Sequence, residues 1–142
     1  MKRAARASSS GKRPVAAHVS RKKPNLPPAR VRQDVERGLA FGELEALREQ
    51  LELPMEQLAA ALGISRPMLH QRKTSRRLTS DESDKVVRYA RLFGRAVHLL
   101  GGLDEARQWL KAPQRGLGGA VPLEYAQTEV GAREVENLLG RI

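Results

Sequence analysis

Residues Gln57–Lys73 read QLAAALGISRPMLHQRK, and the fold turns on whether this is a plain pair of core helices or a DNA-reading unit. Leu58, Ala59 and Leu62 share one helical face, and Gly63 suits the positive φ of a helix end. Ser65 is a natural N-cap for the next helix, expected over Arg66–Lys73, and Pro67 is tolerated in its first turn. A helix-turn-helix needs a small residue where its helices cross, a turn residue that accepts positive φ, and apolar anchors on both sides. Ala59, Gly63 and the set Leu58, Leu62, Ile64 and Leu69 supply these. The segment Arg66–Arg77 has five Lys or Arg and no acid. Its candidate DNA-binding residues are Ser65, Arg66, His70, Gln71, Arg72, Lys73, Arg76 and Arg77. Gln can pair with adenine and Arg with guanine, while the remaining cations suit phosphates. A structural hairpin with a solvated cationic face is the plain alternative, and the order of anchor, small residue, Gly turn, Ser cap and basic helix favours DNA.

The surrounding chain is helical in texture, and no alternating strand pattern appears. Leu44, Leu47 and Leu51 mark a helix ending near Glu52, and Pro54 opens the one that carries Leu58. Thr79-Ser80-Asp81-Glu82 is a capping box for a long helix with the stripe Val86, Ala90, Phe93, Val97 and Leu100, which can pack within the chain or against a dimer partner. Arg88, Arg91 and Arg95 line another of its faces, and Gly101-Gly102 end it. A short helix over Leu103–Leu110 is expected to anchor on Trp109, followed by a Gly- and Pro-rich loop over Lys111–Val121. Pro122–Ala126 starts another helical turn. Thr128 caps a terminal helix with the stripe Val135, Leu138, Leu139 and Ile142. The expected fold is all-α. A basic arm over 1–36 precedes a helix-turn-helix domain over 37–97 and a small C-terminal domain over 98–142.

Charge is concentrated at the N-terminus. Of 26 Lys and Arg, ten fall in residues 1–33 with no acid, and the remainder of the chain is balanced at 16 of each sign, so the net charge of +10 belongs to the arm. SSSGKRP and KKPNLPPAR contain few large apolar residues, so this segment reads as disordered. A nucleic-acid-touching arm, a solubilising extension and an organellar presequence all fit its composition. The absence of Cys excludes a disulfide framework and suits a reducing compartment, and no apolar run is long enough to span a membrane. His18, His70 and His98 show no metal-ligand spacing, and no phosphate-cradling loop or nucleophile–base set is visible. The reading is a non-enzyme without metal or cofactor, soluble in a bacterial cytoplasm.

A minimal DNA-binding domain is complete near Leu100, yet the chain continues. Arg77-Leu78-Thr79, Glu82-Ser83-Asp84, Trp109-Leu110, Pro113, Leu117-Gly118-Gly119, Pro122-Leu123, Thr128, Gly131 and Leu139-Gly140-Arg141-Ile142 form a specific pattern. With the helix-turn-helix, this pattern over about residues 40–142 resembles the Xre/ParS/MbcA-type antitoxins that pair with RES-domain toxins. The resemblance implies a dimer-forming, DNA-binding part that represses its own operon, and a C-terminal part that covers the active-site cleft of an NAD-consuming RES toxin. On that basis the toxin-binding residues would be Leu117, Gly118, Gly119, Pro122, Arg133, Arg141 and Ile142. Many members run a few residues past the matching Ile, where this sequence ends. The alternative from the residues alone is a stand-alone regulator whose C-terminal segment dimerises or senses a ligand.

Overall fold

A computed structural model describes residues 28–142, and these residues form helices without any strand. In chain order they are α1 (Pro28–Arg37), α2 (Phe41–Leu51), α3 (Met55–Ala61), α4 (Arg66–Ser75), α5 (Ser80–Leu100), α6 (Leu103–Lys111), a 3₁₀ turn (Arg115–Leu117), α7 (Pro122–Tyr125) and α8 (Glu129–Arg141). The cap residues read from the sequence act as caps. Ser65 Oγ accepts from the Met68 amide, and Thr128 Oγ1 accepts from the Gly131 amide at 3.0 Å. Thr79 and Glu82 exchange side-chain-to-backbone bonds in a complete capping box.

The 21-residue α5 is the spine. It packs against α1, α2, α6 and α8, and its Val86, Tyr89, Ala90, Leu92, Phe93 and Ala96 are buried. One continuous apolar core runs from Leu39, Leu44, Leu47, Leu58 and Leu62 through α5 to Leu110, Leu123, Val135 and Leu139. The boundary read between residues 97 and 98 therefore falls inside one unbroken helix. The stripe expected on α5 is buried at Val86, Ala90 and Phe93 and half-buried at Val97 and Leu100. That packing lies within the chain.

Several expectations change. Residues 28–36, read as part of the arm, belong to α1, which lies on α5. Composition misled here because Pro28 at a helix start has no N–H to leave unsatisfied, and α5 offers a surface that local sequence cannot show. The arm as read over 1–27 lies outside the described residues. Trp109 is only half-buried, and Phe41, Tyr89 and Phe93 are enclosed aromatic residues among those described. Ile142 leaves the α8 stripe and is 68% exposed.

The link from α1 into α2 is held by a hydroxyl. Leu39 N–H donates to Ser83 Oγ at 2.8 Å, and that hydroxyl donates to the Thr79 carbonyl at 2.7 Å. Ser83 is fully buried, so Ser83→Ala leaves the Leu39 amide without its partner. A buried unsatisfied donor costs about 1–3 kcal/mol, and urea denaturation should show a loss of that size with helix content unchanged.

Candidate nucleic-acid interface and toxin-binding segment

The candidate DNA surface is α4, and its turn is held from behind. Ala61 and Leu62 close α3, where carbonyls lack intrahelical partners. Lys85 Nζ donates to the Leu62 carbonyl at 3.0 Å, and the Tyr89 hydroxyl reaches the carbonyls of Ala61 and Leu123. Burial pushes the Tyr89 phenol above its ordinary range, so the group stays a protonated donor. Gly63 then turns the chain at φ +78°.

On α4, Leu69 points to the core. At 100° per residue the opposite face carries Pro67, His70, Gln71 and Thr74, all exposed. Arg66, Lys73 and Arg76 are also exposed, and Arg66 makes a surface pair with Glu56 at 3.4 Å, which contributes little in water. Ser65 serves as the N-cap. Two residues expected to contact DNA also hold partners within the chain. Arg72 Nε bonds both oxygens of Glu82 at 2.9 and 3.1 Å, with side chains only 15% and 8% exposed. Arg77 Nη1 donates to the Gly38 carbonyl at 2.6 Å. Neither bond is visible in the local sequence, because the partners lie ten and 39 residues away. Pro67 and Thr74 share this exposed face, where helical periodicity from Leu69 places them.

The candidate toxin-binding residues divide in the same way. Leu117 and Pro122 are buried supports. Gly118 and Gly119 form an exposed turn at φ +68° and +91°, and a Cβ on either would meet nothing within 4 Å. Backbone conformation therefore demands glycine there, and the space beyond is open. The loop closes on Gln114, whose N–H bonds the Ala120 carbonyl at 3.0 Å while its carbonyl accepts from Gly119 at 2.9 Å. Gly116 lies against the Leu138 side chain, which sets this loop beside the last turns of α8. Arg141 and Ile142 are exposed at the end of that helix. Arg133 is exposed too, but it pairs with Glu129 at 3.6 Å near the other end of α8.

Two family models cover most of the chain. Residues 30–91 match the antitoxin Xre-like helix-turn-helix domain, and residues 95–142 match the antitoxin Xre/MbcA/ParS C-terminal toxin-binding domain. The antitoxin Xre of Yersinia enterocolitica is 32% identical over 110 residues, covering 76% of this chain and 74% of its own length. The chain belongs to the Xre family of antitoxins. The antitoxin Xre of Photorhabdus laumondii is 46% identical over 67 residues, covering 46% of this chain and 45% of that relative. That of Pseudomonas putida is 34% identical over 65 residues, covering 46% and 41%. This antitoxin is thus a toxin–antitoxin component with a helix-turn-helix and a toxin-binding segment, and its family is not an enzyme family. No helix among the described residues is long and apolar enough to cross a membrane.

The two kinds of arginine should respond differently to mutation. Arg72→Ala strands the buried Glu82 carboxylate, and breaking such a pair costs roughly 3 kcal/mol, so thermal stability should fall clearly. Lys73→Ala removes an exposed cation and should leave the melting temperature within error while weakening DNA binding in a gel-shift titration. A second test addresses Gly131, where a Cβ would stand 1.9 Å from the Tyr125 carbonyl. Gly131→Ala should push α8 away from α7 and reduce capture of the toxin in a pull-down, with DNA affinity retained.

Proposed function

We propose that this antitoxin neutralises a RES-domain, NAD-consuming toxin and represses its own operon by binding operator DNA. The observation that carries the reading is the presence of two separate exposed faces on one continuous core. One is the polar face of α4, and the other is the Gly118–Gly119 turn with the end of α8. The RES identity follows from the pattern of residues 117–142, which resembles antitoxins that pair with such toxins. The protein would act in the bacterial cytoplasm, where its operator lies. One short recognition helix spans a single half-site, so a homodimer on a two-fold operator is the natural assembly.

In this reading the toxin meets the Gly118–Gly119 turn together with Arg141 and Ile142. Arg141 offers a planar cation to a carboxylate, and the exposed Ile142 side chain offers apolar area beside it. Leu117 and Pro122 shape the surface from beneath, and Arg133 can add an ion pair at the rim. Arg66, Lys73 and Arg76 serve phosphates, leaving His70 and Gln71 for base edges.

Co-expression with a RES-domain protein encoded beside the antitoxin should restore growth and cellular NAD. A chain lacking Gly140, Arg141 and Ile142 should fold and bind DNA normally yet release the toxin, and full neutralisation by that chain would remove the tail from the contact. For DNA, about three phosphate contacts per protomer in a dimer give a slope of log K against log salt near −5. A slope near zero would refute backbone binding.

A further inference from the structure

We propose that Gln71 is a specificity-determining residue that reads guanine, because Arg72 fixes its amide so that the NH₂ group faces outward. The proposal rests on the DNA-binding reading of α4 and deepens it.

The argument starts at the buried end of a relay. The Glu82 carboxylate is held by the Thr79 amide at 2.9 Å, a consequence of the capping box that opens α5. It receives Arg72 Nε on both oxygens, so the guanidinium has a fixed position and plane. Arg72 Nη1 then donates to Gln71 Oε1 at 3.2 Å. A guanidinium only donates, so the Gln71 atom it touches must be the carbonyl oxygen. The amide nitrogen, with two hydrogens, is left for whatever lies against the exposed face of α4.

That orientation decides between bases. Pairing a glutamine with adenine requires Oε1 to accept from the N6 amino group while Nε2 donates to N7. Here Oε1 already faces a cation. Its second lone pair remains, but an oxygen already accepting from Arg72 Nη1 is a weaker acceptor for an adenine amino group. Guanine presents two acceptors, O6 and N7, on its major-groove edge. These suit the outward NH₂ with its two donor hydrogens. Arg72 is therefore a positioning residue, and Gln71 makes the contact. The proposal departs here from the adenine pairing expected from the sequence.

The test is selection of duplexes from a random double-stranded library by the full chain, followed by affinity measurements on the selected site. Selection should reveal one guanine position whose preference is lost in Gln71→Ala. Changing that guanine to adenine should weaken the wild-type chain about fivefold or more, the low end of what one base contact discriminates, and should cost Gln71→Ala nothing. Arg72→Met, which frees the amide, should narrow the guanine-to-adenine ratio to below twofold in the folded fraction. If that variant does not fold, the two-by-two comparison of base and Gln71 decides alone. Loss of an adenine preference in Gln71→Ala overturns the proposal, as does a guanine penalty that persists without Gln71. Failure to enrich any duplex would instead refute DNA binding by α4, and this proposal with it.

Discussion

Two helix ends in this protein are closed by side chains from other helices, and that requirement ties the helix-turn-helix to the rest of the core. Every helix leaves its last carbonyls without intrahelical donors, and burying them unpaired is costly. At the end of α3 the donors are Lys85 and Tyr89 of α5. At the end of α2 they come from α6. Arg107 Nε reaches the Gln50 carbonyl at 2.7 Å, and Lys111 Nζ reaches Leu51 at 3.0 Å. Cations at helix C-termini also meet the negative end of the dipole. The helix-turn-helix thus owes two of its caps to helices that follow it in sequence. Its geometry depends on the spine and on the first helix of the toxin-binding segment.

This dependence explains why the two family segments share one core. Arg88 bonds Glu129 and the Gln127 carbonyl as well as Asp84, which ties α5 to the start of α8. Arg91 reaches Glu136 a turn or two further along, so α8 runs parallel to α5. The arginine row on α5 is in part a seam between helices. Arg88 is only 11% exposed, and its three partners leave it little freedom to serve an outside ligand. Arg95, by contrast, is exposed near Gly140.

What could be read from sequence was what the chain decides locally. Ser65, Thr79 and Thr128 announce helix starts because a cap acts on an amide three residues away. Gly63 and Gly101 announce helix ends because the left-handed conformation is local as well. What stayed hidden depends on distant partners. Arg72 and Arg77 have the composition of DNA ligands, and only the fold reveals Glu82 and the Gly38 carbonyl beside them. Tyr89 carries no marker in its own neighbourhood, yet it is among the largest enclosed side chains. α1 was hidden for the same reason, since its surroundings in sequence are basic and proline-rich.

The signature that marks the toxin-binding segment is mostly a recipe for its shape. Gly118 and Gly119 supply two consecutive left-handed residues, and Pro122 sits at a helix start where a missing N–H is harmless. Thr128 caps α8, and Gly131 lets the Tyr125 carbonyl approach where a methyl group would collide. Val135 and Leu139 then bury against the core. Each of these residues is used inside the chain. Among the candidate toxin-binding residues, Gly118, Gly119, Arg133, Arg141 and Ile142 are the exposed ones. Discrimination between toxins would therefore rest on a small exposed set mounted on a scaffold whose own residues are committed to folding.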